Sequence, residues 1–372
     1  IPVDDTRLAL GRLSGFHRRR FLPLVIAITG SNGKTTTKEF LSGIFQFLPD
    51  EEKVITEKNY NNDIGLPFTL FNIDKKTKIV ILEMGMNHLG EISYLSKLAK
   101  PDITFITNIG SAHIENLGSR ENIAIAKSEI IDGMENGSLY VPQNLDYKDI
   151  VSKKCKENSV SLIEWELLNH EMLEINSILI HYNEKEISFP YPSKDLLNNW
   201  SGVTKLSEDI GIPKDVIANG LSHFQPAKGR LNILSGEFKI IDDCYNANLE
   251  SMKSSINIAK NLAKDHNLIL ILGDIKEAGQ FSKEIHSELG SFINDLNIHF
   301  LITYGEDSQF ISKHFQGDSL HLNQGKDSVD QIFRILQQKI KKNDVILIKG
   351  SRSMKMEEIV EILDSKLNQK KV

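Results

Sequence analysis

Short β-branched apolar runs alternate along the chain with stretches whose apolar residues recur at helical spacing. The run "LVIAIT", Leu24–Thr29, reads as a buried strand, and Lys34–Phe47 behind it reads as a helix. "KIVILEM" (78–84) and "ITFITNI" (103–109) are further strands, with helices at Glu91–Leu98 and Arg120–Met134. This alternation predicts βαβ units and a parallel sheet covered on both faces. From about 150 to 192 the pattern changes. "SVSLIEW", "SILIHY" and "ISFPY" read as short strands with polar breaks, expected as antiparallel decoration. Two helices follow, Leu196–Glu208 and one opened by Pro213, a residue suited to a first helical turn.

After "PAKGR", Pro226–Arg230, the alternation restarts, which marks a domain boundary. Strand "KIIDD" leads to helix Leu249–Ala263, and "LILILGD" leads to helix Ser282–Asp295. "HFLITYG" precedes a helix near Asp330–Lys341, and "DVILIKG" precedes helix Met354–Leu367. The expected fold class is therefore α/β: a mostly parallel central sheet with antiparallel decoration, then a second open α/β domain. A chain of 372 residues fits two or three domains. No internal repeat or low-complexity segment is visible.

Composition removes several function classes. With 25% charged and 40% hydrophobic residues the chain is an ordinary globular one. A net charge of −6 gives no nucleic-acid surface, and the short basic run Arg18–Arg20 reads as a solvated face. The two cysteines, Cys155 and Cys244, have neither metal-ligand spacing nor a disulfide framework, which fits a reducing cytosol. No stretch approaches the roughly 20 apolar residues of a membrane span, and no signal peptide is visible, so a cytoplasmic location is expected. Ile1 rather than Met begins the chain, which leaves room for an absent upstream piece.

The chemistry concentrates behind the first strand, in "ITGSNGKTTTKEF" (28–40). Only Ser31 and Asn32 separate Gly30 from Gly33-Lys34, so the loop is a shortened variant of the usual Walker A spacing. Glycines let backbone N–H groups approach phosphate oxygens, and the helix N-terminus adds its positive dipole end. Lys34 can reach outer phosphates, and the Thr35 hydroxyl can serve Mg²⁺. The bland alternative is a strand-to-helix turn with incidental threonines. Glu83 ends a strand at the edge where open α/β sheets hold ligands, and suits a second Mg²⁺ contact. "TNIGSAHIENLGS" puts His113 on a glycine-rich loop at the same edge, which favours a functional over a structural histidine. Lys127, in "IAIAKSEII", either snorkels or is buried, modified or catalytic; spacing does not choose.

"TGSNGKTTTKE", "NYNNDIGLPFTL", "ILEMGMNHLGEI", "TNIGSAHIENLGSRENIAIAKSEI", "DDCYNANLESM", "LGDIKEAG" and "IKGSRSMKME" occur in this order. Together they resemble the Mur ligases of peptidoglycan synthesis, over about residues 3–365. The resemblance implies a monomeric ATP-dependent amide ligase. Its reaction would join D-alanyl-D-alanine to UDP-N-acetylmuramoyl-tripeptide through an acyl phosphate. It implies a P-loop-type central domain followed by a Rossmann-like one. Gly30, Ser31, Asn32, Gly33, Lys34, Thr35 and Thr36 would bind the ATP phosphates. Thr35, Glu83 and His113 would hold Mg²⁺ directly or through water. Lys127 matches a lysine that the family carbamylates, so Lys34, His113 and Lys127 form the implied catalytic set. Asn61 and Asn62 match a segment lining the UDP-muramoyl-peptide site. Asn199 matches an adenine contact, Arg230 a phosphate contact, and Asp243 a ribose contact. Tyr245, Asn246 and Asn248 would complete the nucleotide contacts, and Lys349 and Ser351 match the segment near the incoming dipeptide.

Against the family pattern, residues 1–22 match only the tail of an N-terminal uridine-nucleotide domain. Residues 23–228 would be the central ATPase domain and 229–372 the ligase domain, closing on nucleotide binding. Asp195 in "SKDLLNNW" stands where histidine is usual, and Ala278 in "IKEAG" where leucine is usual. Two other readings stay in competition. One is a different amide ligase, such as a folylpolyglutamate synthase, against which "NYNNDIG" and "DDCYNAN" argue. The other is a catalytically silent nucleotide-binding protein, against which the intact Lys34, Glu83, His113 and Lys127 argue.

Overall fold

The run Leu24–Thr29 is buried along nearly its whole length because both faces of its sheet are covered. The computed structural model describes residues 2–173, 177–189, 193–222, 224 and 226–368. The chain divides near residue 225 into two compact units.

The first unit opens with α1 (Thr6–Arg18), β1 (Leu24–Thr29), α2 (Lys34–Ile44), β2 (Lys53–Ile55), α3 (Gly65–Phe71) and β3 (Ile79–Glu83). It continues with α4 (Glu91–Ala99), β4 (Ile103–Ile106), α5 (Ile114–Leu117), α6 (Arg120–Ser128), β5 (Ser138–Pro142), α7 (Lys148–Glu157) and β6 (Ser161–Trp165). These six strands form one sheet in the order β2-β3-β1-β4-β5-β6, every pair parallel. Helix α1 is tied to the unit by Arg18, whose guanidinium donates to the Ala99 carbonyl at 2.9 Å. Burial lowers the pKa of that guanidinium, partly offset by Asp102.

One expectation fails here. "SVSLIEW" does not decorate the sheet: its strand β6 pairs in parallel with β5 and extends the main sheet. Helix α7 supplies the crossover, and the polar breaks at Ser161 and Glu164 are the exposed positions of an edge strand. The antiparallel element begins later. Strands β7 (His170–Leu173), β8 (Ser177–Tyr182) and β9 (Lys185–Phe189) form a separate sheet, with β8 and β9 antiparallel. Pro190 and Tyr191, which end "ISFPY", lie outside the described residues. Helices α8 (Lys194–Asp209) and α9 (Lys214–Ser222) complete the unit.

The second unit contains β10 (Asn232–Ser235), β11 (Lys239–Asp243), α10 (Leu249–Ala263), β12 (Leu268–Gly273), α11 (Ser282–Phe292) and β13 (Phe300–Tyr304). It ends with α12 (Gln309–His314), β14 (Ser319–Leu322), α13 (Lys326–Lys339), β15 (Val345–Lys349) and α14 (Glu357–Leu363). Its sheet runs β10-β11-β15-β12-β13-β14, with only β10 antiparallel to its neighbour. The helix expected over Met354–Leu367 is broken at its start. A 3₁₀ turn ends at Met354, and Lys355 adopts a left-handed backbone (φ +50°) before α14 begins.

Gly202 in α8 faces the stacked rings of Phe105 and Trp165, whose centroids are 4.4 Å apart. A Cβ at Gly202 would come within 2.5 Å of the Phe105 ring. Gly202→Val is therefore expected to destabilise the protein by roughly 1–3 kcal/mol, read as a lower urea midpoint. An unchanged midpoint would show that α8 can move off the sheet without loss.

Candidate active site

Strand β1 sits between β3 and β4, so the three parallel strands end side by side. Their C-terminal ends thereby bring three groups to one edge: the Gly30 loop after β1, Glu83 closing β3, and Thr107–Asn108 after β4. Gly33 caps α2 with φ +79°, and a Cβ there would meet the Asn199 carboxamide at 2.5 Å. A Cβ on Gly30 would fall 1.8 Å from Thr107 Oγ1. Both glycines are thus required by close approach of neighbours as well as by turn geometry.

The loop is braced from the β4 side. The Asn32 N–H donates to Asn108 Oδ1 at 2.9 Å, and the Ser31 N–H donates to the Asn108 carbonyl at 3.2 Å. Thr107 Oγ1 donates to the Asn32 carbonyl at 2.5 Å, and Ser31 Oγ accepts from the Gly110 N–H at 2.8 Å. Lys34 folds back so that Nζ donates to the Gly30 carbonyl at 2.6 Å. Neither Thr107 nor Asn108 stands out in sequence. The available signal was their place directly after a strand that turns out to neighbour β1.

Glu83 is 3% exposed. Its Oε2 accepts from Thr35 Oγ1 at 2.8 Å and its Oε1 from Asn61 Nδ2 at 2.9 Å. Both partners are neutral, and among the described residues no cationic side chain pairs with it. A buried carboxylate without a counter-charge is costly. The adjacent hydroxyl and carboxylate oxygens are the hard donors Mg²⁺ takes, with water or phosphate completing the shell. The residues present therefore fit that ion. Among the described residues no three His, Cys, Asp or Glu side chains cluster as ligands, so an ion here needs oxygens from elsewhere. Lys38, also unremarked in sequence, supports this corner: Nζ donates to the Thr56 carbonyl, and Thr56 Oγ1 accepts from the Glu83 N–H.

Lys127, in the last turn of α6, is 1% exposed, which excludes the snorkelling alternative. Burial, with a smaller contribution from the Lys34 charge, holds its pKa well below the ordinary 10.5. Among the described residues no carboxylate pairs with it. His113 starts α5 with a left-handed backbone (φ +64°). Thr36 follows in the first turn of α2. Asn62 is engaged locally: its Oδ1 accepts from the Gly65 N–H at 2.8 Å and starts α3.

In the second unit, the register of β11 with β15 sets Asp243 opposite Lys349. Lys349 Nζ donates to Asp243 Oδ2 at 2.5 Å and to the Asn246 carbonyl at 3.1 Å, and Ser255 Oγ donates to the same carboxylate oxygen. The Arg230 guanidinium lies 4.0 Å from the centre of the Tyr245 ring. Asn248 forms a reciprocal capping box with Ser251 at the start of α10. Asn246 Oδ1 accepts from the Ala247 N–H, and Ser351 Oγ accepts from the Lys276 N–H at 2.8 Å.

Comparison with known proteins bears on this arrangement. The Mur ligase middle domain matches residues 28–201, and the Mur ligase, glutamate ligase domain matches residues 229–352. This chain is a Mur ligase. Membership places it in an ATP-dependent ligase class. A relative from Haemophilus influenzae, UDP-N-acetylmuramoyl-tripeptide–D-alanyl-D-alanine ligase, is 34% identical over 99% of this chain and 82% of its own length. The crystal structure of MurF from Acinetobacter baumannii is 31% identical, with a TM-score of 0.88 over 98% of this chain and 82% of that one. MurF ligase from Thermotoga maritima in complex with ADP is 27% identical, with a TM-score of 0.85 over 99% of this chain and 85% of that one.

For this Mur ligase the state of Lys127 has a thermodynamic consequence. An amine whose pKa is depressed by folding destabilises the folded state at any pH below its unfolded value, because the protonated form is disfavoured there. The resulting penalty is present at neutral pH and vanishes as pH rises towards about 10.5. In CO₂-free buffer, Lys127→Met should raise the thermal midpoint at pH 7, and the gap from wild type should narrow by pH 10. A gap that stays constant or widens with pH would contradict a buried amine with a depressed pKa.

Proposed function

We propose that this Mur ligase joins D-alanyl-D-alanine to UDP-N-acetylmuramoyl-tripeptide, using ATP, in peptidoglycan precursor synthesis. The observation that carries the reading is the buried Glu83–Thr35 pair at the foot of the Lys34 loop. It is a cation seat beside a phosphate cradle. The substrates come from the names of the relatives. The folylpolyglutamate alternative is disfavoured by the asparagine-rich segments around Asn61 and Asn246.

In this reading the ATP phosphates lie along Gly30–Thr36, with Lys34 at the β/γ end. The peptide carboxylate attacks the γ-phosphorus and ADP leaves, giving an acyl phosphate with a good leaving group. The dipeptide amine attacks the acyl carbon, the tetrahedral intermediate expels inorganic phosphate, and the amine gives up its proton. Thr35 and Glu83 would hold Mg²⁺, joined by His113 on the family resemblance, and the ion would neutralise charge at the transferring phosphoryl group. In its deprotonated form, which burial favours, Lys127 can add its nitrogen lone pair to CO₂ and release a proton. The resulting anionic carbamate is suited to a site rich in divalent charge.

Asn61 orients Glu83 and, with Asn62, shapes the side that receives the uridine-linked peptide. Asn199 underlies Gly33 and serves the adenine end. In the second unit, Arg230, Asp243, Tyr245, Asn246 and Asn248 serve the nucleotide, with Asn248 acting through the helix it caps. Lys349 and Ser351 serve the dipeptide. The family resemblance suits a cytoplasmic monomer.

The test is phosphate release from ATP with UDP-N-acetylmuramoyl-tripeptide, with and without D-alanyl-D-alanine. Release should depend on the dipeptide, and Lys34→Met should reduce kcat by roughly 10²–10³-fold, the scale for losing a preorganised electrostatic stabiliser. Absence of dipeptide-dependent release from the folded wild type would overturn the assignment.

A further inference from the structure

Two segments follow the groups Glu83 and Lys127. One follows Glu83 and runs through residues 84–90 into α4; the other follows Lys127 and runs through Glu129–Ile131. The first is fixed at its start, where the Met84 N–H donates to the Ile28 carbonyl and the Gly85 N–H to the Asn61 carbonyl, both at 2.8 Å. At its far end α4 has no capping side chain of its own, because its N-cap is Gly90 (φ +87°).

The cap comes from the other segment. The Gly90 N–H donates to both carboxylate oxygens of Glu129, at 2.8 and 2.9 Å, and the Ser93 N–H donates to Oε2 at 3.2 Å. Glu129 is 8% exposed, so these bonds form largely away from water. A negative group at a helix N-terminus is favoured in itself, but here it is supplied two residues beyond Lys127. A second tie joins the same segments: Ser96 Oγ donates to the Ile130 carbonyl at 2.5 Å and accepts from the Gly133 N–H at 3.0 Å.

We propose that Glu129 is a positioning residue whose clamp on Gly90 and Ser93 sets the placement of Lys127 relative to Glu83. This rests on the reading of Glu83 and Lys127 as the groups that serve the metal and the transferring phosphate. Neither group touches Glu129; the carboxylate acts through the backbone it holds. A Gln at 129 would keep the volume but replace one acceptor oxygen with an NH₂ group that cannot accept from an N–H. Ser96→Ala loosens the same two segments without touching Gly90, and so reports a purely structural role.

The experiment compares full-length wild type, E129Q, E129D and S96A. Calorimetry measures the Mg²⁺ concentration that half-saturates binding of a non-hydrolysable ATP analogue, alongside thermal midpoints, Gly90 amide exchange and turnover. E129Q should raise the Mg²⁺ midpoint and lower kcat, each by about 10-fold, the scale for groups that orient metal ligands. The dipeptide KM should hold and Gly90 exchange should quicken. E129D should fall between E129Q and wild type, and it carries the comparison if E129Q does not fold. S96A should lower the thermal midpoint while leaving the Mg²⁺ midpoint in place. An unshifted Mg²⁺ midpoint in E129Q, or an equal shift in S96A, overturns the inference. If the wild type shows no dipeptide-dependent phosphate release but E129Q still weakens Mg²⁺-dependent binding, the substrate assignment fails and the clamp stands.

Discussion

The parallel pairing of β1 with β3 on one side and β4 on the other is the constraint on which the candidate site depends. Parallel strands end at the same edge, so residues far apart in sequence meet there without long loops. The register pairs Ile28 with Glu83 and Thr29 with Ile106, which leaves the Gly30 loop flanked by a carboxylate and by Thr107–Asn108. Close packing then dictates residue type. Gly30 and Gly33 are glycines because Thr107 and Asn199 fill the space a side chain would need.

Two buried carboxylates, Asp243 and Glu83, are held in opposite ways. Asp243 is neutralised within its own sheet by Lys349, one strand away, and by the Ser255 hydroxyl. Glu83 is held only by an amide and a hydroxyl. The first arrangement is electrostatically complete. The second is satisfied in hydrogen bonds but not in charge, which is what a seat for a divalent ion requires. Lys127 adds the complementary feature, a buried amine whose pKa is held well below the ordinary lysine value by burial and, to a smaller extent, by the Lys34 charge.

Local chemistry was legible in the sequence wherever one short segment carries it. The Gly-Lys-Thr turn behind Leu24–Thr29, the carboxylate closing Ile79–Glu83 and the helix Leu249–Ala263 all stand where the apolar pattern puts them. Features that depend on sheet order were hidden. Asn108 and Lys38 matter only because β4 and β2 lie where they do, and no local pattern encodes that neighbourhood. The parallel strand β6 was mistaken for decoration because an edge strand and an isolated hairpin strand share the same polar breaks. Asn62 and Asn248 also accept backbone N–H bonds at the starts of α3 and α10, a role that no sequence pattern displays beforehand.

The most direct test of the Glu83 cation seat is a crystal structure grown with an ATP analogue and Mn²⁺ in place of Mg²⁺, located by its anomalous scattering. The ion should sit in direct or water-bridged contact with the Glu83 carboxylate and Thr35 Oγ1, beside the phosphates. A nucleotide bound along Gly30–Thr36 with the ion away from Glu83, or with no ion at all, would contradict the role derived for that carboxylate.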